Sequence, residues 1–379
     1  MALAPEPGQL PAWMGSPVIL ALSLAAQVTG EVHLEASAGA EIDTNARRAV
    51  SRGEDDPAVV TDGLARALLD ADGQLSFGRD HGVVARWVLG AKRFVEERDQ
   101  DLAVSELRLS TWHRLLPKLS LGTFAQARVS RIRSGLRDYE LALGGAQIDA
   151  GWDAFTLSAR GFFTGFGFPS EPNFNHVGPS LALELEWRPE PRWRLSVGGG
   201  HRWRSYSGAL VIAEPTGAGE AFTTFCEDPA ALSAAGYTCT PAPSREDGEW
   251  QAEAALLHSG PVMVELRYLL RAQRSTSALE NVDRHRIYLA AAFALPWELS
   301  LGFRGAAQLN VGTALSDQQL LAEADEQQTS LLVQLERPLV GELSLVARYG
   351  LYANQLLETD ARFLRQIFHL GLSFRLVSH

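Results

Sequence analysis

Cysteine and lysine are both nearly absent from this 379-residue chain. The two cysteines, Cys226 and Cys239, form no C-x2-C metal pair. Their spacing, in a stretch rich in Pro, Ala, Ser and Thr, predicts one loop disulfide, Cys226 to Cys239, in an oxidising compartment. Lys92 and Lys118 are the only lysines, so nearly all of the 34 basic residues are arginine, set against 45 acids for a net charge of -11. Such a chain lacks the basic surface that general nucleic-acid binding needs, and no nucleic-acid partner is expected.

Long apolar runs are missing too. Beyond residue 30, an Arg, Glu or Asp interrupts every stretch short of the roughly 18 residues that a spanning helix requires, which excludes a helical membrane bundle. Catalytic signatures are absent: the nine histidines form no H-E-x-x-H, and there is no G-x-S-x-G elbow or phosphate-binding loop. The expectation is a protein without enzymatic activity, metal or cofactor. At 46% hydrophobic and 21% charged residues, the chain is nevertheless not a disordered one.

What is there begins with an apolar run, Pro17 to Val28, with small residues around Ser23-Leu24-Ala25. This reads as a signal peptide over residues 1–26, leaving 27–379 as one domain. From Glu31 onward the pattern has period two, the alternation of a strand with two unlike faces. Leu181, Leu183, Leu185 and Trp187 alternate with Ser180, Ala182, Glu184 and Glu186, and Trp193, Leu195 and Val197 with Arg194 and Ser196. Trp297, Leu299, Leu301 and Phe303 oppose Glu298, Ser300 and Arg304, and the last segment sets Phe368, Leu370, Leu372, Phe374 and Leu376 against His369, Ser373 and Arg375.

About sixteen such strands can be counted. Tight connections alternate with longer ones, the longest being Ser207 to Glu249. The fold class expected is therefore all-β: a closed antiparallel transmembrane barrel of about sixteen strands, with short periplasmic turns, long extracellular loops and both termini periplasmic. Closure follows from physics, because an unpaired strand edge in lipid leaves backbone groups unsatisfied at several kcal/mol each.

If the apolar face meets lipid, the other face lines a lumen. Parity predicts that lining to include Arg86, Arg108, Arg128, Arg160, Arg194, Arg202, Arg204, Arg267, Arg271, Arg304, Arg348 and Arg375 with Glu184, Glu186 and Glu265. Glu106, Glu140, Glu253, Glu298 and Glu336 fall on the same face by this rule, and other acids, such as those around Glu246 and Asp247, are expected in loops. The lumen should then be basic and attract anions.

At the first strand, Gly39-Ala-Glu-Ile-Asp43-Thr44-Asn45 resembles the G-x-x-x-D-[ST]-N opening of Gram-negative outer-membrane barrels that export polysaccharide or surface lipoproteins. The resemblance covers one short segment. It implies an outer-membrane export porin for anionic or polysaccharide cargo, in contact with membrane lipid and lipopolysaccharide and served by separate periplasmic export or envelope-complex proteins. The alternative is a non-conducting barrel that anchors secretion or surface-motility machinery.

Overall fold

The computed structural model describes residues 28–47, 59–135, 137–170, 172–207, 210–215, 217, 222–225, 229–241, 244–276, 281–312, 329–355 and 362–378. The segment read as a signal peptide and Cys226 of the expected disulfide lie outside these residues. Among them no helix is long and apolar enough to cross a membrane.

Nine strands run in succession: β1 (Val28–Asp43), β2 (Asp62–Phe77), β3 (His81–Phe94), β4 (Leu102–Leu116), β5 (Leu119–Ile132), β6 (Tyr139–Trp152), β7 (Phe155–Gly167), β8 (His176–Glu190) and β9 (Trp193–Tyr206). The long connection that follows carries structure of its own: β10 (Leu210–Pro215), β11 (Phe222–Phe225), α1 (Pro229–Ala234) and β12 (Tyr237–Pro241), with the three strands forming a separate small sheet. The main series resumes with β13 (Glu246–His258), β14 (Val262–Ser275), β15 (Val282–Ala294), β16 (Ser300–Gly312), β17 (Thr329–Val340), β18 (Leu343–Gln355) and β19 (Arg362–Ser378). Sixteen strands close into one antiparallel barrel, each beside its neighbour in the series, with β19 returning to β1.

Short turns, such as 78–80, 153–154 and 341–342, gather at the end of the barrel where β1 begins and β19 finishes. The opposite mouth carries the longer connections. One turn differs from the sequence reading. Trp297 and Glu298 have φ of 62° and 59°, so they bend in the left-handed region and β16 starts only at Ser300. Glu298 therefore sits on no strand face.

The cross-strand register fixes which residues share a face. Glu41 stands opposite Leu64 and His369, and Leu64 opposite Phe94, so one parity runs unbroken around the ring. The outward parity is apolar and bare: Leu183 is 59% exposed, Leu370 58% and Ile287 54%, with Trp87, Trp152, Trp187, Trp193 and Trp250 on the same surface. A surface of this extent is costly in water and matches a hydrocarbon environment. The strands hold 12 to 17 residues in the barrel, more than the roughly 9–11 that spanning takes, so they project beyond the bilayer.

The first and last strands meet through the residues of the G-x-x-x-D-[ST]-N segment. Gly39 faces Gly371, and a Cβ on Gly39 would lie 2.4 Å from the Leu370 carbonyl oxygen and 2.7 Å from the Gly371 Cα. Only glycine permits that approach. Beyond it, Arg365 donates to Asp43, Thr44 N–H donates to the Gln366 carbonyl at 3.0 Å, Gln366 N–H donates to Thr44 Oγ1 at 2.9 Å, and Asn45 Nδ2 donates to the Leu364 carbonyl at 3.2 Å. The segment is the clasp of the barrel seam.

Candidate functional site

The inward parity carries polar and charged side chains on every wall. All fifteen residues expected to line the lumen lie on it, and most are paired. Arg86 is bound to Asp70, Arg108 and Arg128 share Glu106, and Arg160 donates to Glu184 at 3.4 Å. Arg194 lies 3.3 Å from Glu186, which also holds Arg188. Arg202 and Arg204 converge on Glu249 at 3.9 and 2.8 Å, while Arg267 bridges Glu265 at 2.8 Å and Glu253 at 3.3 Å. Arg348 donates to Gln334 Oε1 at 2.5 Å, and Arg375 spans Glu35 at 3.2 Å and Glu336 at 3.1 Å.

Two of the expectations are corrected. Glu140 stands opposite Val129, on the outward parity, where it pairs with Arg131 at the strand end. The lumen is also less basic than expected, because acids beyond the glutamates assigned to it are inside as well, Asp247 among them although it was expected in a loop. Glu31, Glu35, Glu41, Asp43, Asp70, Asp72, Asp149, Asp247 and Glu249 all share the inward parity. Asp247 and Glu249 belong to β13, which runs further toward the long-connection mouth than their loop-like local composition implied. The alternation Asp247, Glu249, Gln251, Glu253 was the signal available to find these two.

That mouth holds the tightest network. Arg245, 1% exposed, donates from Nε and Nη2 to the Asp247 carboxylate at 3.0 and 2.8 Å. Tyr206 Oη and Gln273 Nε2 donate to the same carboxylate at 3.0 and 2.9 Å, and the Arg245 guanidinium lies 4.3 Å from the Tyr206 ring centre. Near the seam, the fully buried Glu41 carboxylate takes Arg66 at 2.8 Å and Lys92 at 2.7 Å, with His369 at 3.4 Å. Buried charges persist only when so compensated.

Neighbouring connections are tied together above this level. Asp62 accepts from the Glu96 and Glu97 backbone N–H groups at 3.0 and 2.8 Å, and Arg47 grips the Glu97 carboxylate with two bonds of 2.9 and 2.8 Å. Those bonds hold the Glu97 carboxyl below its ordinary range.

The two halves of the ring differ in chemistry. On β4 to β9 the inward side chains include Trp112, Phe124, Tyr139, Phe162, Phe166, His176 and Tyr206. Tyr139 stacks with Phe166 at 5.7 Å between ring centres, Phe166 with His176 at 5.2 Å, and His176 meets Tyr206 at 5.0 Å. Deeper, Phe124 and Phe162 approach to 6.0 Å, and the Trp112 ring lies over Gly82. At about 6.6–7 Å for each two-residue step, this aromatic series descends most of the wall. On β14, β15 and β16 the inward face instead carries Arg267, Arg271, Arg284, Arg286 and Arg304, beside Gln308 and Asn310. Arg271 and Arg304 have no carboxylate within ion-pair distance among the described residues.

A closed antiparallel barrel with an apolar belt outside and ion pairs inside defines the class: a transmembrane β-barrel. No protein-family model matches the chain, and no curated protein matches it. Solved structures that it is similar to include Acinetobacter baumannii OccAB3 (9% identity, 93% of this chain and 100% of that one, TM-score 0.46) and Pseudomonas putida OprB (9% identity, 92% and 94%, TM-score 0.46). Another is described as a bacterial polysaccharide outer membrane secretin (12% identity, 92% and 98%, TM-score 0.41). At these values the comparisons assign neither a family nor a cargo.

Proposed function

We propose that the protein is a channel of the Gram-negative outer membrane, with both termini periplasmic, that exports an anionic or polysaccharide cargo. The observation that carries this reading is the pairing of an aromatic wall on β4 to β9 with a guanidinium and amide wall on β14 to β16. Aromatic rings offer apolar area to the C–H faces of sugar rings. Guanidinium forks bind carboxylates two bonds at a time, and Arg271 and Arg304 hold that capacity in reserve. Lipid and lipopolysaccharide would surround the outward face, and periplasmic export proteins would feed the short-turn end.

A second reading has its own support. The dense, buried network of Arg245, Asp247, Tyr206 and Gln273 braces the long-connection mouth, as suits a non-conducting barrel that anchors an envelope complex. Purified protein in planar bilayers separates the two. The export reading predicts steady conductance that an oligogalacturonate blocks at lower concentration than a neutral maltooligosaccharide of equal length. Closed membranes at every voltage would favour the anchor.

A further inference from the structure

The geometry points to a copper(II)-binding site on the short-turn rim of the barrel, built from His81 of β3 and His113 of β4. The two residues are direct cross-strand partners, and their Nδ1 atoms lie 3.0 Å apart. The ring centres are 5.2 Å apart with planes inclined at 54°. Both side chains belong to the outward parity, since their strand neighbours Gly82 and Trp112 share the inward one. They sit at the barrel end, where β3 leaves the turn after Asp80 and water can reach them.

In the neutral pair one Nδ1 donates a hydrogen bond to the other. A cation can replace that proton as the bridge: the donor ring shifts its proton to Nε2 through water, and both Nδ1 lone pairs are then available with no change in charge. Bonds of about 2.0 Å from a metal to two nitrogens 3.0 Å apart subtend about 95° at the metal, close to the right angle of adjacent square-planar positions and well below tetrahedral. This favours Cu2+ over Zn2+, and the Irving–Williams order acts in the same direction. Among the described residues no group of three or more His, Cys, Asp or Glu could hold a metal, so the site is a two-imidazole chelate completed by water. Bound metal would staple β3 to β4 at the rim.

The test uses the full-length barrel in detergent micelles, titrated with Cu2+ alone by calorimetry and by electron paramagnetic resonance. The expected result is one strong site per chain with nitrogen splitting from two imidazoles, bound at least tenfold more tightly than Zn2+. His81→Gln and His113→Gln should each weaken it tenfold or more, with unchanged heat-modifiable mobility on gels. Undiminished Cu2+ binding in both variants, splitting from a single nitrogen, or equal affinity for Zn2+ would overturn the assignment.

Discussion

Arg365 closes on Asp43 across the seam between the last strand and the first. Its Nε lies 3.0 Å from both carboxylate oxygens and its Nη2 2.5 Å from Oδ2, with the arginine 2% and the aspartate 0% exposed. Every other strand pair joins consecutive strands of the barrel, at most 65 positions apart, but this one must bring residues 322 positions apart into register. A buried, geometrically exacting pair at that place selects one register over its slips.

Removing one partner leaves the other charged and buried. Asp43→Ala is expected to destabilise the barrel by about 3–5 kcal/mol in urea titrations in micelles. The double variant Asp43→Leu with Arg365→Met should recover most of that loss. An equal or larger loss in the double variant would show that the seam depends on something other than charge compensation.

Gly39 makes a sharper prediction. A valine there would drive Cβ into the Leu370 carbonyl and the Gly371 backbone, so Gly39→Val should prevent closure and leave only the unfolded band on unheated gels. Gly30→Ala, whose new methyl would meet only Leu75 Cδ2 at 3.4 Å, serves as the tolerated control on the same strand.

Selectivity should follow the arginines that lack acids. Reversing Arg271 and Arg304 to glutamate is expected to shift the reversal potential in a salt gradient toward cations, by more than any other paired change in the lumen. Reversal of Arg204 is a poor probe of the pore. Its side chain is 3% exposed and bound to Glu249, so Arg204→Glu places two buried carboxylates together and should lower stability first.

The Arg47–Glu97 pair gives a pH dependence. Because the folded-state value of Glu97 is depressed, its contribution is present above the ordinary carboxylate pKa, about 4.3, and is lost as pH falls below it. The protection of the Ala46 and Glu97 amides against hydrogen exchange, taken relative to the intrinsic rate at each pH, should therefore fall on acidification, and Glu97→Gln should flatten that change. The pair is exposed, so added salt should reduce the effect.

Much of the architecture is legible in the alternation itself. Leu181 to Glu186 announces two unlike faces, and the rhythm of tight and long connections gives sixteen strands and a common end for both termini. The small sheet of β10 to β12 was not legible, because its strands are short and lack a sustained alternation. Nor was the charge balance of the lumen. Asp247 looks like a loop acid by its neighbours Glu246 and Gly248, yet the strand continues through it, and burial is decided by Arg245, Tyr206 and Gln273, the last two from other strands. Pairing across the barrel is a tertiary property, invisible to a local pattern.

Accessibility of nitroxide labels along β8 decides which face of the barrel wall meets lipid. In a variant with both native cysteines replaced by serine, single labels at Leu181, Ala182, Leu183, Glu184, Leu185 and Glu186 would be read in lipid vesicles. Oxygen should reach the labels at 181, 183 and 185, and a water-soluble nickel chelate those at 182, 184 and 186. The opposite phase, or protection of all six from both reagents, would contradict a lipid-facing apolar wall.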